Sequence, residues 1–184
     1  MAISPSSSSR SKLLVLHIIV AFFMTPSTSN HLSQVCINSK NPRFCVQVLG
    51  LNSHRTPAQL TQEAIYVLLP IASRTTRKIH YILNVTKDDN LKEVYNVCLG
   101  YYETTIDRLR LSVEDYLIQG LYSNVNAVGN FAQEAAFYCE NEFQGKIGHV
   151  FASTLTEDNK NLDIFGSIIV SAVNVLINSL LLKE

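Results

Sequence analysis

The chain has 184 residues, 47% of them hydrophobic, with 15 basic and 15 acidic side chains and no net charge at pH 7. That balance excludes the basic footprint of a nucleic-acid binder and offers nothing to an anionic membrane surface. Length and apolar content suit one domain with a real core.

Arg10 and Lys12 form a short positive segment, followed by the apolar run Leu13–Met24 and the small residues Thr25-Pro26-Ser27-Thr28-Ser29. This pattern predicts a secretory signal over 1–29, with Ser27 and Ser29 placed like a small-residue cleavage site. The apolar run is too short to span roughly 30 Å of hydrocarbon, which argues against an uncleaved anchor. A mature chain over 30–184 keeps 13 of the 15 basic residues against all 15 acids, so it is slightly acidic.

Cys36 and Cys45 lie nine residues apart in a polar, Pro-containing stretch, which predicts short helical turns closed by a local bridge. Thr56-Pro57-Ala58-Gln59 reads as a helix start, with Thr56 as N-cap, Pro57 at N1 and Gln59 completing a capping box. Apolar positions then recur at Leu60, Ala64, Val67, Leu68, Ile71, Thr75, Ile79, Ile82 and Leu83, with Pro70 expected to kink the helix. Near its end, Asn84-Val85-Thr86 is a glycosylation acceptor in an exported chain.

Asp88-Asp89-Asn90 opens the next helix with negative charge at its N-terminus. One face of that helix carries Leu91, Val94, Cys98, Tyr101 or Tyr102, Thr105 and Leu109. After a turn at Gln119-Gly120, a third helix places Leu121, Val125, Val128, Ala132, Ala135 and Cys139 on one stripe. Gly145 and Gly148 read as a loop before the last helix. Cys98 and Cys139 thus face the core from consecutive helices, where a disulfide is geometrically possible. Four cysteines allow three pairings, and the helix-face argument favours Cys36–Cys45 with Cys98–Cys139.

Ile164–Leu182 is 19 residues without a charge, long enough for a membrane span by length alone. Ser167, Ser171, Asn174 and Asn178 nevertheless line one face, which suits a bundle helix closing a core. A cleaved lipid-anchor tail is disfavoured by the same stripe. No strand-like alternation of useful length occurs. The expected fold is all-α: an up-down four-helix bundle with an N-terminal disulfide-clamped helical hairpin extension.

Catalytic signatures are missing: no G-x-S-x-G, H-E-x-x-H, phosphate loop or dinucleotide fingerprint. His31, His54, His80 and His149 are scattered, and no carboxylate or nucleophile is paired with them. Glu134, Glu140 and Glu142 read as a solvated acidic face and not a metal site. Glu103, Asp107 and Arg110 read as charged surface. Tyr101, Tyr102, Tyr116, Tyr122 and Tyr138 read mostly as core or rim, with any exposed member a natural interface anchor. The residues therefore predict a non-enzyme without metal or cofactor, working through a protein surface. A secreted bundle binding a small apolar ligand or a receptor is the alternative, and a ligand-sized cavity would favour it.

The layout Cys36-x8-Cys45, Cys98-Leu99-Gly100-Tyr101-Tyr102 and Cys139-Glu140-Asn141-Glu142-Phe143 resembles the plant invertase/pectin methylesterase inhibitor family. Tyr122-Ser123-Asn124-Val125-Asn126 resembles the segment opening the family's third bundle helix. Ser171-Ala172-Val173-Asn174-Val175-Leu176 is similar to its last helix. Within the family the chain looks closest to the branch of pollen allergens labelled invertase inhibitors. It departs where Asn130-Phe131-Ala132-Gln133 puts a Phe at a position read as small and buried. It departs again where Tyr138 precedes Cys139, and where Asp115–Gly120 lacks the Pro-Lys-Phe of invertase inhibitors.

The resemblance implies the same two disulfides and a one-to-one complex with pectin methylesterase, slightly preferred for want of Pro-Lys-Phe, or with acid invertase. The inhibitor would cover the enzyme's active-site cleft in the cell wall, using its second and third bundle helices. Asn126 is the contact carried over from the motif. Thr105, Arg108, Asn130 and Gln133 are added by surface position, and Tyr138 if it projects outward. No nucleic acid or membrane partner is expected after signal removal.

Overall fold

The computed structural model describes residues 30–50, 54–147 and 153–182, so the signal segment, Gly148 and His149 lie outside the described residues. Six helices follow one another: α1 (His31–Ile37), α2 (Pro42–Leu49), α3 (Pro57–Val85), α4 (Asp89–Leu111), α5 (Tyr122–Ile147) and α6 (Thr156–Leu181). Helices α3 to α6 form the bundle. Each packs on its two sequence or closing neighbours, α3 on α4, α4 on α5, α5 on α6 and α6 on α3.

Local chemistry sets the helix starts. Asn30 and Asn41 cap α1 and α2 by accepting from Ser33 N and Phe44 N. The Thr56–Gln59 capping box is reciprocal, with both hydrogen bonds formed. Asp88 caps α4 by accepting from Leu91 N at 3.1 Å. Helix α3 runs unbroken through Pro70. Helix α4 runs into a π-helical turn at Ser112–Tyr116, and Gly120 then takes φ 73°, the left-handed conformation that glycine adopts at no steric cost.

Between α4 and α5, Tyr95 meets Phe143, Cys98 bonds to Cys139, Tyr101 stacks on Tyr138 and Arg108 covers Phe131. Numbers rise in one helix as they fall in the other, so the pair is antiparallel. Both cysteines are fully buried. Their bridge closes a separation of 41 residues, worth about 4 kcal/mol in the chain-entropy account.

The α5–α6 interface is the closest in the bundle. A Cβ at Gly129 would stand 2.8 Å from Val170 Cγ2 and 2.9 Å from the Gly166 carbonyl oxygen. One at Gly166 would stand 2.6 Å from the Gly129 carbonyl oxygen. The two backbones therefore touch, with Ala132 beside them.

The polar stripe of α6 divides in two. Ser171 Oγ donates to Val35 O at 2.7 Å, and Ser167 Oγ accepts from Lys40 N at 3.0 Å. Phe44 packs edge-on against Phe165, with ring centroids 5.3 Å apart, and Lys40 pairs with Asp163. These contacts seat the α1–α2 hairpin, itself closed by Cys36–Cys45. Asn174 and Asn178, further along the stripe, are exposed.

At the start of α6 a polar layer joins all four bundle helices. Tyr102 donates to Asn159 Oδ1 at 3.0 Å, and Asn159 Nδ2 donates to Glu140 Oε2 at 2.8 Å. Thr156 Oγ1 donates to the other oxygen of Glu140 at 2.8 Å. Thr75 and Lys78 of α3 both donate to Asp158. Glu140, read from sequence as part of a solvated face, is thus half-buried and bridges α5 to α6.

Other positions differ from expectation. The last helix starts at Thr156, eight residues before Ile164, because charged residues of its first turns take part in the polar layer. Gly145 lies inside α5 and not in a loop. Leu121 stands just outside the bundle at 39% exposure.

Two predictions come from this packing. Gly100 is exposed in α4 with nothing within 4 Å of where a Cβ would stand. Gly100→Ala should raise stability by about 0.5–1 kcal/mol through helix propensity. Gly166→Ala gains the same amount but loses about 1–3 kcal/mol to overlap with a backbone carbonyl that has nowhere to move. Urea midpoints at unchanged m-value should therefore shift in opposite directions.

The second concerns Tyr102. Burial pushes its hydroxyl well above the ordinary tyrosine value, helped by the Asp158 carboxylate, opposed by a hydrogen bond with Thr75 and helped again by Glu140. Unfolded, the same group ionises near its ordinary 10.0. Above that pH the folded state holds a proton that the unfolded state has lost, so stability falls as pH rises. Tyr102→Phe should cost about 1–3 kcal/mol at neutral pH, and its stability should then decline less steeply than wild type in alkaline denaturation series.

Candidate functional site

Helix α5 turns Val125, Val128, Ala132, Ala135, Ala136, Cys139 and Phe143 into the core. The opposite arc faces solvent, and two kinds of side chain organise it. Asn126 Nδ2 donates to Asn174 Oδ1 of α6 at 2.9 Å, and Asn130 Nδ2 donates to Asn126 Oδ1 at 2.9 Å. Gln133 Nε2 continues the row, 3.5 Å from Asn130 Oδ1. At spacings of four and three residues these amides form one ladder along the helix.

Beside the ladder stand aromatic rings. Phe137 is 61% exposed and Tyr138 48% exposed. Tyr138 is held by stacking on Tyr101 of α4, with centroids 5.9 Å apart and planes 21° apart, and by the edge of Phe137. Further along, the Arg108 guanidinium carbon sits 3.9 Å above the Phe131 ring. The result is a surface centred on α5, with the amides and Phe137 toward α6 and Tyr138 and the Arg108–Phe131 pair toward α4. Protein interfaces favour rings held in this way, because little side-chain entropy is lost on contact.

A depression of about 530 Å3 adjoins this surface between α5 and α6, where Phe137, Gln133, Asn159, Lys160 and Lys40 are among its lining residues. It opens to solvent along the helix pair and does not enclose a ligand. Among the described residues no group of three His, Cys, Asp or Glu side chains is placed to hold a metal ion. His80 lies at the surface with Nε2 3.8 Å from Glu103 Oε1, and Asp107 pairs with Arg110.

Of the residues read as contacts from sequence, Asn126, Asn130, Gln133 and Tyr138 share the α5 surface and Arg108 borders it. Thr105 does not belong. It is fully buried and its hydroxyl donates to Tyr101 O at 2.7 Å, as its place on the core stripe of α4 requires. Phe131 also departs from expectation. It occupies no small core position but lies half-buried on the α4–α5 rim under Arg108, while Ala132 fills the core. Phe137 is the exposed ring that sequence reasoning missed. Its signal was an aromatic residue lying off the apolar stripe. Asn84 is exposed in the last turn of α3.

Comparison with known proteins adds a family to this geometry. Residues 30–171 match the family model described as plant invertase/pectin methylesterase inhibitor. A pectinesterase inhibitor of Actinidia deliciosa is 32% identical over 153 residues, covering 79% of this chain and 82% of the relative. Two solved structures share the fold. A mutant form of a pectin methylesterase inhibitor from Arabidopsis aligns with TM-score 0.69 at 21% identity, over 79% of this chain and 97% of that one. A pectin methylesterase inhibitor from Arabidopsis thaliana aligns with TM-score 0.59 at 22% identity, over 80% and 96%.

The rim offers its own check. Arg108→Ala removes the guanidinium from the Phe131 ring at an exposed site, which should cost about 0.5–1 kcal/mol. Arg108→Lys should recover part of that loss. Thermal unfolding of the two variants measures the difference.

Proposed function

The chain belongs to the plant invertase/pectin methylesterase inhibitor family, and from that premise we propose that it is an exported inhibitor of pectin methylesterase. As a member of an inhibitor family it is a non-catalytic protein. Its means of action in this reading is the surface that α5 presents between α4 and α6, laid over the enzyme's active-site cleft in a one-to-one complex. The observation that carries the reading is the pair Phe137 and Tyr138, exposed and braced beside the amide ladder Asn126–Asn130–Gln133.

Several features support the choice of target and compartment. The curated relative is itself named a pectinesterase inhibitor. The turn Asp115–Gly120 carries no Pro-Lys-Phe, and its most exposed apolar side chain is Ile118. The family match covers 30–171 and begins where the signal reading over 1–29 ends, which supports taking 30–184 as the inhibitor domain. Two disulfides suit an oxidising extracellular space, the cell wall in this reading. A glycan on Asn84, at the end of α3, would leave the α5 surface open.

The test is a titration of oxidised 30–184 into pectin methylesterase and, separately, into acid invertase at mildly acidic pH. Esterase activity should fall to zero at equimolar inhibitor, with invertase unaffected. Loss of invertase activity alone would reassign the target. Loss of neither, with a helical spectrum intact, would move a receptor or small-ligand role to the front. Tyr138→Ala and Asn130→Arg should each weaken the esterase complex by at least tenfold, about 1.4 kcal/mol. Both positions are exposed, so melting temperatures should hardly move.

A further inference from the structure

We propose that the outer face of α3 binds an acidic polysaccharide, with Arg74 and Arg77 taking its carboxylates and Tyr66 and Tyr81 supporting its sugar rings. Residues 66, 70, 74, 77 and 81 recur at helical spacing, and all five are exposed. Tyr66 is 53% and Tyr81 68% exposed, high values for side chains of that size. From Tyr66 to Tyr81 the stripe is about 22 Å long at 1.5 Å per residue.

The charge on this face is of one sign. Glu63 is the one acidic residue in α3, and it is paired with Arg55. Lys78 is drawn sideways to Asp158 and His80 to Glu103. Arg74 and Arg77 have no ion-pair or hydrogen-bond partner among the described residues, and neither does the exposed Lys87 just beyond the helix. The other bundle helices carry at least as many acids as bases: Asp89, Glu93, Glu103 and Asp107 on α4, and Glu157, Asp158 and Asp163 against Lys160 on α6. The stripe is therefore a local basic feature on a slightly acidic mature chain.

Its chemistry selects among polyanions. A guanidinium presents a planar fork that takes a carboxylate through two hydrogen bonds. A tyrosine ring offers an apolar face to the C–H side of a sugar and a hydroxyl at its tip. Two arginines flanked by tyrosines along one continuous helix suit a linear polymer with regularly placed carboxylates. A membrane surface would need an apolar face to insert, and the stripe has none between its tyrosines. Hydrolysis of a pectin methyl ester releases a carboxylate, so the polymer made by the proposed target enzyme carries the groups this face would take. Because α3 stands diagonally across the bundle from α5, polymer and enzyme would not compete for one surface. The choice of polymer rests on the pectin reading, whereas the stripe itself does not.

The experiment measures binding of oxidised 30–184, without enzyme, to polygalacturonate and to the same polymer fully methyl-esterified. Wild type should bind the acid form, more weakly as salt rises, and should not bind the ester. Arg74→Gln with Arg77→Gln should weaken binding by roughly fivefold to tenfold, the worth of two exposed charge contacts. Tyr66→Ala with Tyr81→Ala should weaken it at unchanged charge. No binding by wild type, equal binding by the arginine double variant, or equal binding of wild type to phosphatidylserine vesicles would each overturn the proposal. Inhibition of pectin methylesterase by the arginine variant should match wild type. Polymer binding without any esterase inhibition would sink the enzyme reading and leave this one standing.

Discussion

Helix α5 is gripped on both flanks, and most of what the molecule presents to solvent depends on that grip. On one side Gly129 and Gly166 bring two backbones so close that a single added methyl would meet a carbonyl oxygen 2.6 Å away. On the other side the buried Cys98–Cys139 bridge ties the helix to α4. One contact would leave a helix free to roll about its axis. Two on opposite flanks fix its rotation, because cores are close-packed and do not deform smoothly. The amide ladder and the exposed rings are displayed in one direction because small residues and a cysteine occupy the other.

The rest of the fold stiffens this arrangement from its ends. At the start of α6, Tyr102, Asn159, Glu140 and Asp158, the last held by Thr75 and Lys78, tie the four helices together through satisfied hydrogen bonds around the buried Tyr102–Asn159 pair, the condition under which such a network specifies a core. Further along α6, the disulfide-closed hairpin lies over Ser167 and Ser171. Helix α6 is long and apolar enough to cross a membrane by composition, yet 61% of its most apolar window is buried inside the protein. Its hydroxyls are seats for neighbouring backbone, which a lipid-facing helix has no use for.

Much of this was legible in the sequence, for physical reasons that differ by element. Helix starts were readable because capping is local: Thr56, Gln59 and Asp88 act within three residues of themselves. The stripes of α4 and α5 were readable because helical periodicity is strict, and they placed Cys98 and Cys139 where a bridge forms. Contact residues were less legible. Periodicity identifies the buried side of a helix, yet Thr105, which lies on that side of α4, was also assigned to the surface, and its burial resolves the conflict. Phe131 was misplaced because one residue separates the rim from the core at Ala132. Glu140 and Asn159 were not legible as partners, since their contact joins two helices across a loop and leaves no local pattern. Gly129 and Gly166 were missed for the same reason.

The molecule presents two outward faces of different chemistry, an aromatic and amide surface on α5 between α4 and α6 and a tyrosine–arginine stripe on α3. Hydroxyl-radical footprinting of the inhibitor, free and bound to pectin methylesterase, tests the assignment of the first most directly, because each face carries its own exposed rings. Phe137 and Tyr138 should lose most of their reactivity in the complex, while Tyr66 and Tyr81 keep theirs. Protection of Tyr66 and Tyr81 with Phe137 and Tyr138 unchanged would place the enzyme on the opposite side of the bundle and contradict the account.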